Sequence, residues 1–238
     1  MRVSGTTSTG TSRRLHLPTR TMATAVVCLP AGTPPDALAA LATATLTARG
    51  QATTGVLPHF DTHTRRTGKL LDYWNGLTSG GPINLLDLHG MRTRAAVDAA
   101  AAWLLWQQVV AGTRPAQPFW AFADRSASDP HRYPLARAQA DYLSQPRVLA
   151  MRAYNAMPGH AIPLPPSALE AFQAGYGTYV NLAWLAAVPG DGLAPQPGGW
   201  LTTRSQRLAD VLDYLTTANA RLTQVPRDAH LVALASPA

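Results

Sequence analysis

The sequence contains a single cysteine, and this scarcity excludes several kinds of site. With only Cys28, the chain cannot form an internal disulfide or a zinc centre built on several thiolates. This cysteine usage fits a reducing compartment, and we expect a cytoplasmic protein. Cys28 lies within the apolar run AVVCLP, a setting that favours a buried, inert thiol over a nucleophile.

Long uninterrupted apolar runs are also missing. No stretch approaches the roughly 18 to 20 uncharged residues that a membrane-spanning helix requires. The nearest candidate, AAVDAAAAWLLWQQVVAG, is interrupted by Asp98, Gln107 and Gln108. The N-terminus lacks the apolar centre of a secretory signal. We therefore expect no membrane association.

Charged residues are few, at 14% of the chain, and Lys69 is the only lysine among 20 basic residues. Four arginines and no acid fall within Met1–Thr21, and without them the formal net charge drops from +7 to +3. The sequence predicts that Met1–Thr21 is a disordered basic tail. Arg13, Arg14 and Arg20 would give this tail nonspecific affinity for nucleic acid, because arginine neutralises phosphates.

What the chain does contain is enough apolar material for a real core, at 46% of 238 residues. Its order of apolar runs predicts one α+β domain over residues 22–238: a small mixed sheet packed by four to six helices. Short apolar runs predict strands at Ala25–Pro30 and His230–Ala235, and we expect these two to be neighbours. The segment Gln51–Pro82 reads as loop with one short strand at most.

Several helices are predicted from apolar spacing and capping residues. The first places Leu38, Leu41 and Leu46 on one side, and a central helix over residues 93–111 is apolar around most of its circumference, which predicts burial of Val97 and Leu104. Further helices have their predicted N-caps at Ser167, in a capping box with Glu170, and at Thr202 or Thr203. The last helix carries leucines at three- and four-residue steps, and we expect them to meet Trp103 and Trp106 in one interior. Residues 176–188 fit either helix or strand.

One cluster of side chains suggests metal chemistry. The sequence HFDTH places His59, Asp61 and His63 on alternate residues, and LLDLHG adds Asp87 and His89. Imidazole and carboxylate groups are ligands for divalent metals such as zinc, and alternate residues of an extended segment face the same way. On this hypothesis His59, Asp61, His63 and His89 would hold the metal, and Asp87 would act as general base. An ordinary polar loop is the competing interpretation, and it implies no cofactor.

Aromatic residues outside the helical patterns suggest an interaction surface. Trp74, Phe119 and Trp120 fall in segments predicted to be loops. Exposed aromatic side chains anchor partner proteins at interfaces. These three residues are therefore the predicted contacts for a protein partner or for self-association.

Five segments together resemble a group of uncharacterised actinobacterial proteins from phage, plasmid and integrated-element contexts. These segments are AVVCLPAGTPPDALAAL, AAAAWLLWQQVVAGTRPAQPFWAF, YPLARAQADYLSQPRV, AVPGDGL and ADVLDYLTTANARLTQVPRDAHLVAL. Members of that group carry an aromatic Asp-Trp element followed by a double glycine, for which the counterparts here are Asp72-Tyr73-Trp74 and Gly80-Gly81. The resemblance implies a mobile-element context and no particular activity.

Two functions follow as hypotheses. The first is a non-catalytic accessory protein of a mobile genetic element that acts through protein or nucleic-acid contacts. The alternative is a metal-dependent hydrolase that uses the HFDTH cluster. No motif in the sequence is specific enough to name a reaction.

Overall fold

A computed structural model describes residues 22–64 and 67–237. The predicted α+β class is confirmed, with more helices than expected: the described residues form eight α-helices and a six-stranded mixed sheet. The strands are β1 Met22–Leu29, β2 Gly55–Val56, β3 Phe60–Asp61, β4 Leu77–Thr78, β5 Gly80–Pro82, β6 Gly192–Ala194, β7 Leu201–Thr202 and β8 His230–Pro237. The helices are α1 Leu38–Thr47, α2 Leu88–Val109, α3 Phe119–Ser128, α4 Leu135–Leu143, α5 Pro146–Ala156, α6 Leu169–Gln173, α7 Tyr176–Ala186 and α8 Leu208–Thr223.

The two predicted strands form the centre of the sheet. β1 and β8 are antiparallel neighbours, with Val26 opposite Ala233 and Val27 opposite Val232. The strand order is β2-β8-β1-β6-β7, and β5 also pairs with β8, beside β2. Only the β1–β6 pair is parallel among these pairings. Both central strands are apolar on consecutive residues because both faces of the sheet are covered.

Alternating residues of the central strands feed two different clusters. Val26 and Leu231 belong to a cluster completed by α8 and by the start of α2. Val27 and Val232 face the other side, where α1 covers them with Leu38, Ala42 and Leu46. Leu41, expected on that side, is 44% exposed, because the helix turns Ala42 toward the sheet instead. We call the sheet with these two clusters the sheet region.

A third cluster consists of helices alone, and we call it the helical region. Its buried members include Trp106, Tyr142, Met151 and Phe172, from α2, α4, α5 and α6. Trp106 stacks on Phe172 with ring centroids 5.2 Å apart, and Phe172 stacks on Tyr179 of α7 at 4.2 Å. Residues 176–188, for which the sequence fits either helix or strand, contain the helix α7.

The expectation of one interior shared by the leucines of the last helix and the tryptophans is wrong. Leu215 and Leu222 of α8 lie in the sheet region, whereas Trp106 lies in the helical region. Two helices connect these clusters: α2 contributes Met91 to the first cluster and Trp106 to the second, and α7 packs along it. The two regions are joined through helices, not through a common centre.

Other expectations about helices also need correction. Val97 and Leu104 of α2 are 63% and 55% exposed, because the helix buries Met91, Ala99, Ala102 and Trp106 instead. Ser167 makes no capping hydrogen bond, and α8 begins at Leu208, several residues after Thr202 and Thr203. The described residues of the segment 51–82 form four short strands, whereas one at most was expected. No helix within the described ranges has the length and apolar character needed to cross a bilayer.

Candidate functional site: the aromatic hairpin and the start of α2

A tight turn at Asn75-Gly76 presents the most exposed aromatic residue. Both turn residues have positive φ, 48° and 85°, and the flanking residues exchange two backbone hydrogen bonds, Trp74 N to Leu77 O at 2.8 Å and Leu77 N to Trp74 O at 2.9 Å. Asn-Gly is the sequence that favours this hairpin turn, because both residues tolerate the left-handed region. The turn closes a hairpin over residues 71–80, which we call the aromatic hairpin.

The tip of this hairpin is apolar and exposed. Trp74 is 79% exposed, and Tyr73 and Leu77 are each 40% exposed. We call these three residues the aromatic tip. Burying large aromatic surface is favourable, so leaving it in water at the end of a fixed turn is characteristic of an interaction site.

The base of the hairpin is fixed by the double glycine. Gly80 pairs with Val232 of β8, and a Cβ at this position would collide with the Leu231 carbonyl oxygen. A Cβ at Gly81 would lie 2.7 Å from Leu70 Cδ2. Gly80 therefore permits a close approach to the β8 backbone that a side chain would block, whereas at Gly81 the Leu70 side chain would have to shift.

The HFDTH segment runs beside this hairpin. Phe60 is fully buried and pairs with Thr78, Asp61 pairs with Leu77, and Thr62 N donates to Gly76 O at 2.9 Å. Phe60 and Thr62 are buried, whereas His59, Asp61 and His63 are half-buried or exposed. Alternate residues of this segment therefore face opposite sides, as expected for an extended backbone. The two features singled out from the sequence, the histidine cluster and Trp74, thus lie on neighbouring parts of one surface.

The predicted metal ligands have different partners. His59 Nε2 lies 3.1 Å from Val188 O, and Asp61 Oδ2 accepts from Arg94 Nη2 of α2 at 2.6 Å. His63 Nδ1 lies 3.9 Å from Asp87 Oδ2, while His89 is exposed in the first turn of α2. Among residues 22–64 and 67–237, no three histidine, cysteine or acidic side chains are grouped as a metal site would need.

Asp87 has a structural role at the start of α2. Its Oδ1 accepts from Gly90 N at 2.9 Å, which satisfies one of the otherwise unpaired N–H groups of the first turn. A Cβ at Gly90 would collide with this carboxylate. Asp87 N also donates to Asp61 O at 2.7 Å, which ties the cap to the HFDTH segment. The sequence suggested Asp87 as general base only on the hydrolase hypothesis, and its capping role was not predicted, although an aspartate just before a helix is a typical N-cap.

Phe119 and Trp120 lie against their own chain. Phe119 packs edge-on to Tyr142, with ring centroids 5.4 Å apart. Trp120 Nε1 donates to Glu170 Oε2 at 2.9 Å, and the Arg207 guanidinium lies over its ring at 4.8 Å. Both side chains are half-buried, so Trp74 is the interface candidate that the structure leaves open to solvent.

Of two further sequence predictions, the one about Cys28 can be compared with the structure. Cys28 is buried, as expected, and burial raises the pKa of its thiol to about 12, against a smaller opposing effect of the Arg49 charge. The thiol therefore stays protonated at neutral pH, which disfavours a nucleophilic role. Arg13, Arg14 and Arg20, with the predicted disordered tail, lie outside the described residues.

Comparison with known proteins adds no relative to this picture: no protein-family model, curated protein or solved structure matches the chain.

Proposed function

We propose that this chain is a non-catalytic accessory protein that binds a partner protein through the aromatic tip. The supporting observation is Trp74, 79% exposed at a turn whose backbone is fixed by two hydrogen bonds. The resemblance to proteins of phage, plasmid and integrated-element contexts suggests that the partner belongs to a mobile element.

The surroundings of the tip suit such an interface. Interfaces combine a few large apolar anchors with a polar rim. Here the rim is supplied by the Asp61–Arg94 ion pair and by His63 next to Asp87. Because the turn already holds Trp74 in place, binding loses little conformational entropy on this side.

The test starts with site-specific photo-crosslinking from position 73 in host cells, followed by binding measurements with the purified partner. We expect Trp74→Ala to weaken binding by about 30-fold or more, as for an anchor worth about 2 kcal/mol. Val97→Ala, an exposed apolar residue of α2 at another place, is the matched control and should bind as the unaltered chain does. Equal affinity of the Trp74→Ala variant would refute the proposal.

Nucleic-acid binding through the basic tail is a separate possibility that the same protein preparation can test. A gel shift that weakens with salt and disappears when residues 1–21 are removed would indicate nonspecific contacts to phosphates. Such contacts would be independent of Trp74. A self-association mediated by the tip would instead appear as a dimer in light scattering that Trp74→Ala dissociates.

The alternative function, metal-dependent hydrolysis, has one supporting contact, the 3.9 Å approach of His63 and Asp87. A catalytic zinc site uses three protein ligands and one open position, so a further ligand would have to join this pair. Elemental analysis of the purified protein decides the matter. Stoichiometric metal that is lost in His63→Ala and kept in His131→Ala, a distant exposed histidine, would favour the hydrolase over the binding protein.

A further inference from the structure

A cavity of about 380 Å³, with a mixed polar and apolar lining, lies where β1 ends and β8 begins. Five polar residues line it, contributed by the loop after β1, the segment before the aromatic hairpin, the segment after β5, and the turn into β8: Thr33, Lys69, Asn84, Asp228 and His230. None of these residues was assigned a function from the sequence, and none belongs to the aromatic tip.

His230 forms part of the cavity floor. The residue is 5% exposed, and its Nδ1 lies 3.2 Å from the Pro30 carbonyl oxygen. Since a carbonyl only accepts, the hydrogen of the neutral ring belongs on Nδ1, and Nε2 carries the lone pair. Within the described residues Nε2 has no hydrogen-bond partner, yet it is not among the unpaired atoms sealed from solvent. The open space that His230 lines is this cavity.

Thr33 adds a second acceptor to the floor. Its hydroxyl donates to the same Pro30 oxygen at 2.8 Å, and its side chain is nearly buried. With the hydroxyl hydrogen committed in this way, the remaining lone pairs of Oγ1 can only accept. The floor of the cavity therefore offers acceptors at two buried positions, an arrangement that suits a ligand with hydrogen-bond donors.

The rim carries one charge of each sign. Lys69 and Asp228 are exposed at the cavity, and neither forms an ion pair with any described residue. Asn84, which also lines the cavity, supplies an amide that both donates and accepts. A ligand with a separate positive and negative group would meet a complementary charge at each end.

We propose that this cavity binds a small zwitterion of the α-amino acid class. The ligand ammonium group donates to His230 Nε2 and to the Asp228 carboxylate, and the ligand carboxylate accepts from the Lys69 ammonium and the Asn84 amide. The cavity volume lies within the range of small-molecule sites, about 300 to 1,000 Å³. This inference does not rest on the partner-binding proposal, because the residues involved are different.

The experiment is calorimetric titration of the full chain with each of the twenty standard amino acids up to about 10 mM, well above a Kd of about 1 mM, which corresponds to about −4 kcal/mol. Acetate and methylammonium serve as the two halves of the ligand. We expect saturable binding of at least one amino acid and much weaker binding of either half. Lys69→Met and Asp228→Asn should each weaken that binding about tenfold or more, since each removes one charge-assisted hydrogen bond.

Arg227→Gln is the matched control, since this exposed charge neighbours the site in sequence without lining it. It should leave the affinity unchanged. The proposal is overturned if no amino acid binds saturably, if acetate binds as tightly as the amino acids, or if both rim variants bind as the unaltered chain does. All three variants change exposed side chains, so circular dichroism should confirm that the fold is retained. A Trp74→Ala variant should bind the amino acid normally, which separates this site from the aromatic tip.

Discussion

The sheet region and the helical region bury their apolar residues through different kinds of contact. In the sheet region, Val26 and Ala233 are neighbours although about 200 residues separate them in the chain. In the helical region, helices pack through stacked rings, such as Trp106 of α2 on Phe172 of α6. The candidate sites lie in the sheet region, at its loops and strand ends. The aromatic residues of the helical region pack against one another instead.

Polar cross-links also differ between the two regions. In the helical region Arg147 donates to Thr113 and to Gln173, and Gln173 in turn holds the Ala116 backbone. These bonds tie the loop after α2 to α5 and α6. In the sheet region, His230 and Thr33 on the floor of the cavity have acceptor positions that no described residue uses. The first arrangement stabilises a fold, and the second leaves room for a ligand.

The largest expected effect on stability comes from core substitutions, which also test whether the two regions unfold together. Phe172→Ala in the helical region and Leu231→Ala in the sheet region should each lower the free energy of unfolding by about 3 to 4 kcal/mol, the usual cost of emptying a core position. Because α2 and α7 contribute to both clusters, we expect one transition in urea, followed by tryptophan fluorescence and by circular dichroism. Separate transitions for the two signals would mean that the regions unfold independently.

Alkaline pH should lower the free energy of unfolding of the whole chain, because each region contains a buried ionisable group with a raised pKa. Burial raises the pKa of Cys28 from 9.0 to about 12 in the sheet region, and that of Tyr142 from 10.0 to about 12 in the helical region. The unfolded chain therefore loses these protons first, so the stability they support is complete below about pH 9 and falls as pH rises toward about 12. Each unit of pKa difference corresponds to about 1.4 kcal/mol.

Urea midpoints between about pH 8 and about pH 11 measure this fall. Cys28→Ala should flatten the earliest part of the decline, near pH 9, because the thiol has the lower unfolded-state pKa. Tyr142→Phe should flatten the decline only at higher pH. A Cys28→Ala profile that runs parallel to that of the unaltered chain would contradict the assignment to Cys28.

A smaller effect is expected at the link between the regions. Glu170 Oε2 accepts from Trp120 Nε1 at 2.9 Å and from Leu208 N at 3.1 Å, so α6 provides the cap for α8. Glu170→Ala should cost about 1.5 to 3 kcal/mol, the range for hydrogen bonds to a charged group. Hydrogen exchange should rise in the first turn of α8 and stay unchanged in its last turn.

Asp124→Asn is the control for this measurement, because Asp124 makes an exposed ion pair with Arg207 on the same surface. Its cost should not exceed about 1 kcal/mol. If the two variants lose equal stability, the cap supplied by Glu170 has no special value.

The smallest effect is expected at the N-cap of α2. Asp87→Ala should cost about 1 kcal/mol, whereas Asp87→Asn should be nearly neutral, since asparagine caps helices as well as aspartate does. The first turn of α2 lies in the sheet region and its last turns in the helical region, so exchange should rise at residues 88–91 only. Equal losses in both variants would show that the charge near His63, not the cap, is what Asp87 contributes.

An element of the fold could be predicted from the sequence where apolar and polar residues contrast clearly along the segment. β1 and β8 are short apolar runs bounded by polar or proline residues, so their place in the sheet was predictable. α2 is different, because AAVDAAAAWLLW is apolar all around and does not indicate which side is buried. The structure buries Ala99 and Ala102 and exposes Val97 and Leu104, since a surface of small residues allows the neighbouring helix to approach closely.

The candidate sites were predictable to different degrees for a similar reason. Trp74 beside Asn75-Gly76 is a local signal, and the exposed turn follows from it. Glu170 as the cap of α8, and Thr33 with His230 on one cavity floor, depend on contacts between residues far apart in the chain. No spacing within a segment encodes such contacts.

The pairing of β1 with β8 has a consequence for synthesis on the ribosome. β1 is translated among the first described residues and β8 among the last, so the centre of the sheet stays incomplete until residues 230–237 have left the exit tunnel. Until then β1 exposes apolar residues on both faces and a free edge, the features that make nascent chains prone to aggregate. The helices of the middle segment, whose contacts are local, can form during that delay.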